Sequence, residues 1–132
     1  MEPKIIIGLV ETILLENKKK YKAKIDTGAD SSSVDKSILE DLDRKRIVSH
    51  KIIKSALGTH KRPTIMIEFE FNGKKFKEKF SISDRTDLKY KILIGNNILK
   101  KENFLIDPNK KEREHKDSSL NLYFTPSEST MP

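Results

Sequence analysis

Hydrophobic and polar positions alternate with period two through much of this chain, which is the pattern of strands with one face buried. The clearest case spans positions 65–80. Ile65, Ile67, Phe69 and Phe71 share one face with Glu68 and Glu70 opposite, Asn72-Gly73 follows, and Phe76 and Phe80 point inward from the return. Asn-Gly between two alternating runs predicts a tight hairpin with both turn residues at positive φ. Positions 21–25 alternate likewise, with Tyr21, Ala23 and Ile25 on one face and Lys22 and Lys24 on the other. Apolar, β-branched runs at 5–7, 9–10 and 12–15 predict two strands or one bent strand, joined to 21–25 by a charged turn at 18–20. Strand character returns at 47–53, 92–95 and 104–107. Helical spacing is confined to Ile38, Leu39 and Leu42 in 35–42 and to a short stretch at 97–101. Positions 30–33 read as a loop, 84–87 as a polar turn, and Lys61-Arg62-Pro63 as the end of a hairpin that closes before the strand at 65 begins.

Composition narrows this to one mainly β domain. A chain of 132 residues has room for a single modest core. After position 108 the sequence turns to Asn, Lys, Glu, Ser, Thr and Pro, which sets a domain at 1–108 and a flexible polar tail at 109–132. The tail carries an apolar patch at Leu120, Leu122, Tyr123 and Phe124 that could add a strand to a sheet edge or dock elsewhere. The formal charge is +7, but 27 basic residues are interspersed with 20 acidic ones. No basic run is longer than three residues, as at Lys18-Lys19-Lys20, and no aromatic-rich or Gly-rich motif accompanies the charge, so specific nucleic-acid binding is not expected. The absence of cysteine excludes disulfides, thiol catalysis and Cys-based zinc sites. The apolar run at 5–10 is too short for a signal-peptide core and no stretch is long enough to span a bilayer, so the expected location is the cytoplasm.

Candidate chemistry centres on Asp26-Thr27-Gly28-Ala29-Asp30, which ends the strand at 21–25. Alone this is an ordinary Asp/Gly turn. A second signal lies at Ile92-Leu93-Ile94-Gly95-Asn96-Asn97, where Gly95, without a Cβ, lets another segment cross close by. In this order the two pieces resemble the retropepsin-like aspartic proteases. A closer resemblance is to a bacterial and archaeal branch labelled ATP-dependent zinc protease. It is carried by Lys22-Ala23-Lys24-Ile25-Asp26-Thr27-Gly28-Ala29, by Lys61-Arg62-Pro63, and by a block from Ser83-Asp84-Arg85-Thr86-Asp87 to Ile106-Asp107-Pro108. It covers about residues 3–108.

The resemblance implies a single-lobe, closed acid-protease β-barrel with one or two short helices. It implies an aspartic endopeptidase acting on a peptide or protein as a homodimer. Asp26 would be catalytic, Thr27 would hydrogen-bond across the dimer axis, and Gly28 would let backbone approach substrate. Ala29 and Asp30 would line the cleft, and a flap at Leu57, Gly58 and Thr59 would cover it. Arg85 would brace the active loop through an ion pair, with Ile94 and Gly95 beneath. The branch label also points to an ATP-grasp ligase as a partner, which nothing in this chain shows. Three positions depart from the branch as the resemblance describes it: Asp30 and Asn96 stand where Arg is usual, and Asp35 where His is frequent.

The chemistry needs a carboxylate pair. Hydrolysis without a metal or a covalent nucleophile requires a water deprotonated as it attacks and a proton given to the carbonyl oxygen. Two adjacent carboxyls can do both, because like charge keeps one of them protonated. This chain has one Asp-Thr-Gly, so a dyad requires two chains. Two rival readings stand beside it: a catalytically silent dimeric peptide-binding module of the same fold, and a metal-dependent hydrolase. His50, His60 and His115 are scattered without His-Glu-x-x-His spacing, and no Gly-Lys-Ser/Thr phosphate loop is present, so no metal and no cofactor are expected.

Overall fold

The computed structural model describes residues 3–42 and 49–111. Nine strands and two short helices follow in the order β1 (Ile5–Ile7), β2 (Val10–Leu15), β3 (Lys20–Ile25), β4 (Ser32–Asp35), α1 (Lys36–Leu42), β5 (Ser49–Ser55), β6 (Gly58–Phe71), β7 (Lys74–Ser83), β8 (Ile92–Ile94), α2 (Asn96–Leu99) and β9 (Phe104–Ile106) among the described residues. The strand order β2-β3-β8-β4-β7-β6 returns to β2 through a β2–β6 ladder, which closes a six-stranded barrel. β5 hangs from the outside of β6, and β1 pairs in parallel with β9 as a separate two-stranded sheet. This is the expected mainly β barrel with two helices.

Period-two alternation places the core. Ile65, Ile67, Phe69 and Phe71 of β6 are buried, as are Ile13 and Leu15 of β2, Ala23 and Ile25 of β3, Phe80 of β7, and Ile92 and Ile94 of β8. Phe69 stacks on Phe76 and meets Phe80 edge-on, with centroids 5.4 and 5.5 Å away, so the β6–β7 hairpin contributes an aromatic cluster to the barrel. The hairpin turns at Asn72-Gly73 with φ of 55° and 82°, the conformation that Asn-Gly favours.

Two expectations are corrected. Positions 30–33 are not all loop, because Ser32 and Ser33 belong to β4, a strand buried along its whole length. Their polarity hid the strand. Nor does a strand end at Lys61-Arg62-Pro63. β6 runs unbroken through them, paired with β5 from Gly58 to Thr64 and with β7 from Thr64 to Phe71. Pro63 lies one residue outside the β6–β7 ladder, which is how a proline is tolerated inside a long strand.

The short helix expected over 35–42 starts one residue later, because Asp35 caps it: the Ser37 N–H donates to its carboxylate at 3.1 Å. Of the polar segment 109–132, only 109–111 fall among the described residues. There Lys110 pairs with Glu11 at 2.6 Å. The patch at Leu120, Leu122, Tyr123 and Phe124 lies outside the described residues, as do positions 47–48 of the strand expected at 47–53.

Candidate active site

β8 is inserted between β3 and β4, parallel to the first and antiparallel to the second. The chain leaving β3 at Ile25 must therefore pass over the end of β8 to reach β4. It crosses at Gly95. A Cβ there would lie 2.4 Å from the Ser31 carbonyl oxygen and 2.8 Å from that of Ala29, so only glycine permits the crossing. The crossing segment is the 26–31 turn, and Asp26 stands at its start.

Hydrogen bonds fix the turn from below. The Asp26 N–H donates to the Ile94 carbonyl at 2.9 Å, extending the β3–β8 ladder by one residue. The Ala29 N–H donates back to the Asp26 carbonyl at 3.2 Å, closing a four-residue turn, and the Gly28 N–H donates to Asp26 Oδ1 at 2.9 Å. At the start of α2 the Asn96 and Asn97 N–H groups donate to the carbonyls of Ala29 and Asp30 at 2.8 and 3.1 Å. Behind the turn, Ser32 Oγ accepts from the Gly95 N–H at 2.8 Å and donates to Asn97 Oδ1 at 2.7 Å, while Asn97 Nδ2 donates to the Lys79 carbonyl at 3.1 Å. A buried hydroxyl so paired costs the strand nothing in unmet polarity.

The structure thus gathers Asp26, Thr27, Gly28, Ala29, Ile94 and Gly95 into one cluster. Ile94 and Gly95 are buried, Asp26 and Ala29 are half-buried, and Thr27, Gly28 and Asp30 are exposed. Leu57, Gly58 and Thr59 sit elsewhere, at the exposed tip of the β5–β6 hairpin.

Arg85 is buried beside this cluster but donates elsewhere than expected. Its Nε–H goes to the Tyr90 carbonyl at 2.9 Å and its backbone N–H to Asp35 Oδ1. Burial lowers the guanidinium's pKa, and the charges of Asp35 and Asp26 oppose that fall. These hydrogen bonds of Arg85 brace the loop at 85–90. Asp35 is its partner. Burial pushes this carboxyl up, but donation from the Ser37 hydroxyl, the Arg85 N–H and the Ser37 N–H, with the charge of Lys91, outweighs it and holds the carboxyl below the ordinary aspartate value. Ser32, Asp35, Asn96 and Asn97 were not foreseen as site residues. Ser32 and Asn97 are 65 positions apart, and Asn96 reaches a carbonyl 69 positions away, so sequence proximity carries no trace of them. The one available signal was the pair of asparagines opening a helix directly after Gly95.

Comparison with known proteins decides the family. The profile of the RimB-like family, described as retropepsin-like aspartic endopeptidase RimB, matches residues 35–117. The chain belongs to this RimB-like family. The matched span starts at Asp35 and leaves Asp26-Thr27-Gly28 outside it, so the geometry of the 26–31 turn is an observation independent of the match. Among solved structures, a Legionella pneumophila protein of unknown function is similar over 83% of this chain and 98% of its own, at 20% identity and a TM-score of 0.60. The protease of simian foamy virus is similar over 69% of this chain and 91% of its own, at 23% identity and a TM-score of 0.55. At these identities both likenesses concern the fold. The comparison with curated proteins found no match. Family and fold together support a protease-type function for this RimB-like chain. No helix among the described residues is long and apolar enough to cross a membrane.

Proposed function

We propose that this RimB-like protein is an aspartic endopeptidase whose dyad is formed by Asp26 from each of two identical chains. The observation that carries the reading is the half-exposed Asp26 carboxylate, set at the start of a turn that crosses Gly95 and oriented by the Gly28 N–H. Everything behind that carboxylate is fixed, whereas Thr27 and Gly28 in front of it are exposed, as surfaces that a second copy would cover have to be. Since the chain carries one Asp-Thr-Gly, a pair of carboxyls requires that second copy.

In the paired state one Asp26 is ionised and the other protonated, because two negative charges a few ångström apart repel. The ionised carboxylate takes a proton from water as the water oxygen attacks the peptide carbonyl carbon. The protonated one gives its proton to the carbonyl oxygen, forming a neutral tetrahedral diol. Collapse of the diol returns a proton to the pair while another goes to the leaving nitrogen, and the peptide bond breaks. In this reading Leu57, Gly58 and Thr59, on a hairpin attached to the barrel through β6, would close over a bound peptide, and Ala29 and Asp30 would line the cleft beneath it.

The test is cleavage of a mixed peptide library, read by mass spectrometry from mildly acid to neutral pH, with sedimentation of the same samples. Asp26→Asn is expected to lower turnover by about 10²–10⁴-fold, the usual worth of a general acid or base, while the dimer persists. A mutant that cleaves as well as wild type would refute the reading. A confirmed dimer that cleaves nothing would favour a silent peptide-binding module.

A further inference from the structure

Asn96 does more than open α2. Its side-chain Nδ2 donates to the Thr27 carbonyl at 2.8 Å. An acceptor of this kind requires the amide to present its NH₂ group. The Thr27 carbonyl and the Gly28 N–H are the two ends of one peptide group, and that N–H donates to Asp26 Oδ1 at 2.9 Å. Because a peptide group is planar, one rotation sets both ends. A single rigid plate therefore runs from the Asn96 amide to the Asp26 carboxylate.

Among the described residues this plate is the one peptide of the 26–29 turn for which no backbone–backbone hydrogen bond stands, so side chains alone hold it. The Ala29 N–H to Asp26 carbonyl bond closes a turn over 26–29, with the Thr27–Gly28 peptide at its centre. Turns of types I and II differ by rotating that central peptide by roughly 180°, and glycine at the third position is what makes type II accessible. Gly28 is not at positive φ; among the described residues the glycines that are so placed are Gly58 and Gly73. The turn is thus held in the orientation that aims Gly28 N–H at Asp26, although its own sequence permits the other. The remaining tethers, from Asp26 to Ile94, Asn96 to Ala29 and Asn97 to Asp30, act on the flanking peptides.

We infer that Asn96 is a positioning residue for Asp26, acting through the Thr27–Gly28 peptide to prevent its flip. The inference rests on the endopeptidase reading for its effect on turnover, but not for its effect on the turn. The donated hydrogen bond also polarises the peptide and strengthens Gly28 N–H as a donor to the carboxylate. Asn96 does this as a neutral group, so it needs no charged partner.

The experiment compares wild type, Asn96→Ala and the isosteric Asn96→Asp. Exchange of the Gly28 amide with water is measured by NMR magnetisation transfer, and kcat and KM on a cleaved peptide are measured in parallel. Both variants are expected to speed Gly28 exchange about tenfold, the scale of one neutral hydrogen bond. The amides of β8 should be unchanged. Turnover should fall by a similar factor with KM within about twofold, and Asn96→Asp should be no better than Asn96→Ala because the donor, not the volume, is what matters. Unchanged Gly28 exchange, a change in KM alone, or wild-type turnover in Asn96→Asp would overturn the inference. If wild type cleaves no peptide, the endopeptidase reading fails, and the amide exchange still decides the role of Asn96.

Discussion

The 26–31 turn and the tip of the β5–β6 hairpin are both short connections expected to meet the same substrate, yet they are held in opposite ways. The turn is bonded to β8, to α2 and, through Ser32, to the strand that follows it, and it lies against a glycine with no room to spare. The hairpin tip is Ala56-Leu57, between the paired Ser55 and Gly58, on a strand whose ladder runs to β6. Leu57 is fully exposed there, and Gly58 has a φ of 123°. If Asp26 is the reacting carboxylate it can tolerate little displacement, and a turn tied at so many points suits that role. A cover that admits a peptide and releases its products needs the opposite, an element able to open without disturbing the barrel.

The sharpest way to break this contrast is at the crossing. Gly95→Ala puts a methyl 2.4 Å from one backbone carbonyl oxygen and 2.8 Å from another, and neither can move without pulling the turn off β8. The expected cost is about 3 kcal/mol or more, at the upper end for overpacking, read as a lower denaturation midpoint in urea. Gly73→Ala is the control, since a Cβ there meets nothing within 4 Å and only the φ of 82° is unfavourable. Its cost should be roughly 1 kcal/mol. Equal costs at the two glycines would show that the crossing is looser than drawn.

Next in size is Asp35, 2% exposed, which ties the start of α1 to the loop that carries Arg85. Asp35→Asn presents an amide where three donors converge, and leaving one of them unmet should cost about 1–3 kcal/mol. The sign of the pH dependence follows from its depressed pKa. Such a carboxyl adds stability above its unfolded value, about 3.9, and that stability is lost as pH falls through the lower native value. Wild type should therefore lose more stability than Asp35→Asn between pH 4 and the acid limit of folding. Parallel acid-unfolding curves for the two would remove Asp35 from the bracing of this loop.

Legibility in the sequence divides along the same line. Strands with one face in the core announced themselves, as at 65–80, because burial imposes a period that polar positions interrupt regularly. Gly95 was legible because glycine is the one residue type its position admits. β4 was not, since its serines are buried despite their polarity: the Ser32 hydroxyl is met by Gly95 and Asn97, and Ser81 donates to the Ser32 carbonyl. The continuity of β6 through Pro63 was hidden for a related reason, as only the offset between its two ladders makes room for a proline. Asn96, Asn97 and Asp35 act on segments brought near by the barrel's closure, and no local pattern encodes such a meeting.

The smallest effect on stability, and the finest probe of the contrast, is at Leu57. Its side chain is entirely exposed, so Leu57→Ser should change the unfolding free energy by no more than about 0.5 kcal/mol. If the hairpin closes over substrate, the same change removes an apolar contact made only in the complex. A leucine side chain buried on binding is worth about 1.5–3 kcal/mol, and a tip that is partly covered should yield part of this, seen as a KM several-fold higher with kcat near wild type. Uniform weakening of this kind would mark the tip as a binding cover separate from the chemistry. A fall in kcat at constant KM would instead mean that closure helps to assemble the carboxylate pair, and the division between a fixed turn and a movable tip would have to be given up.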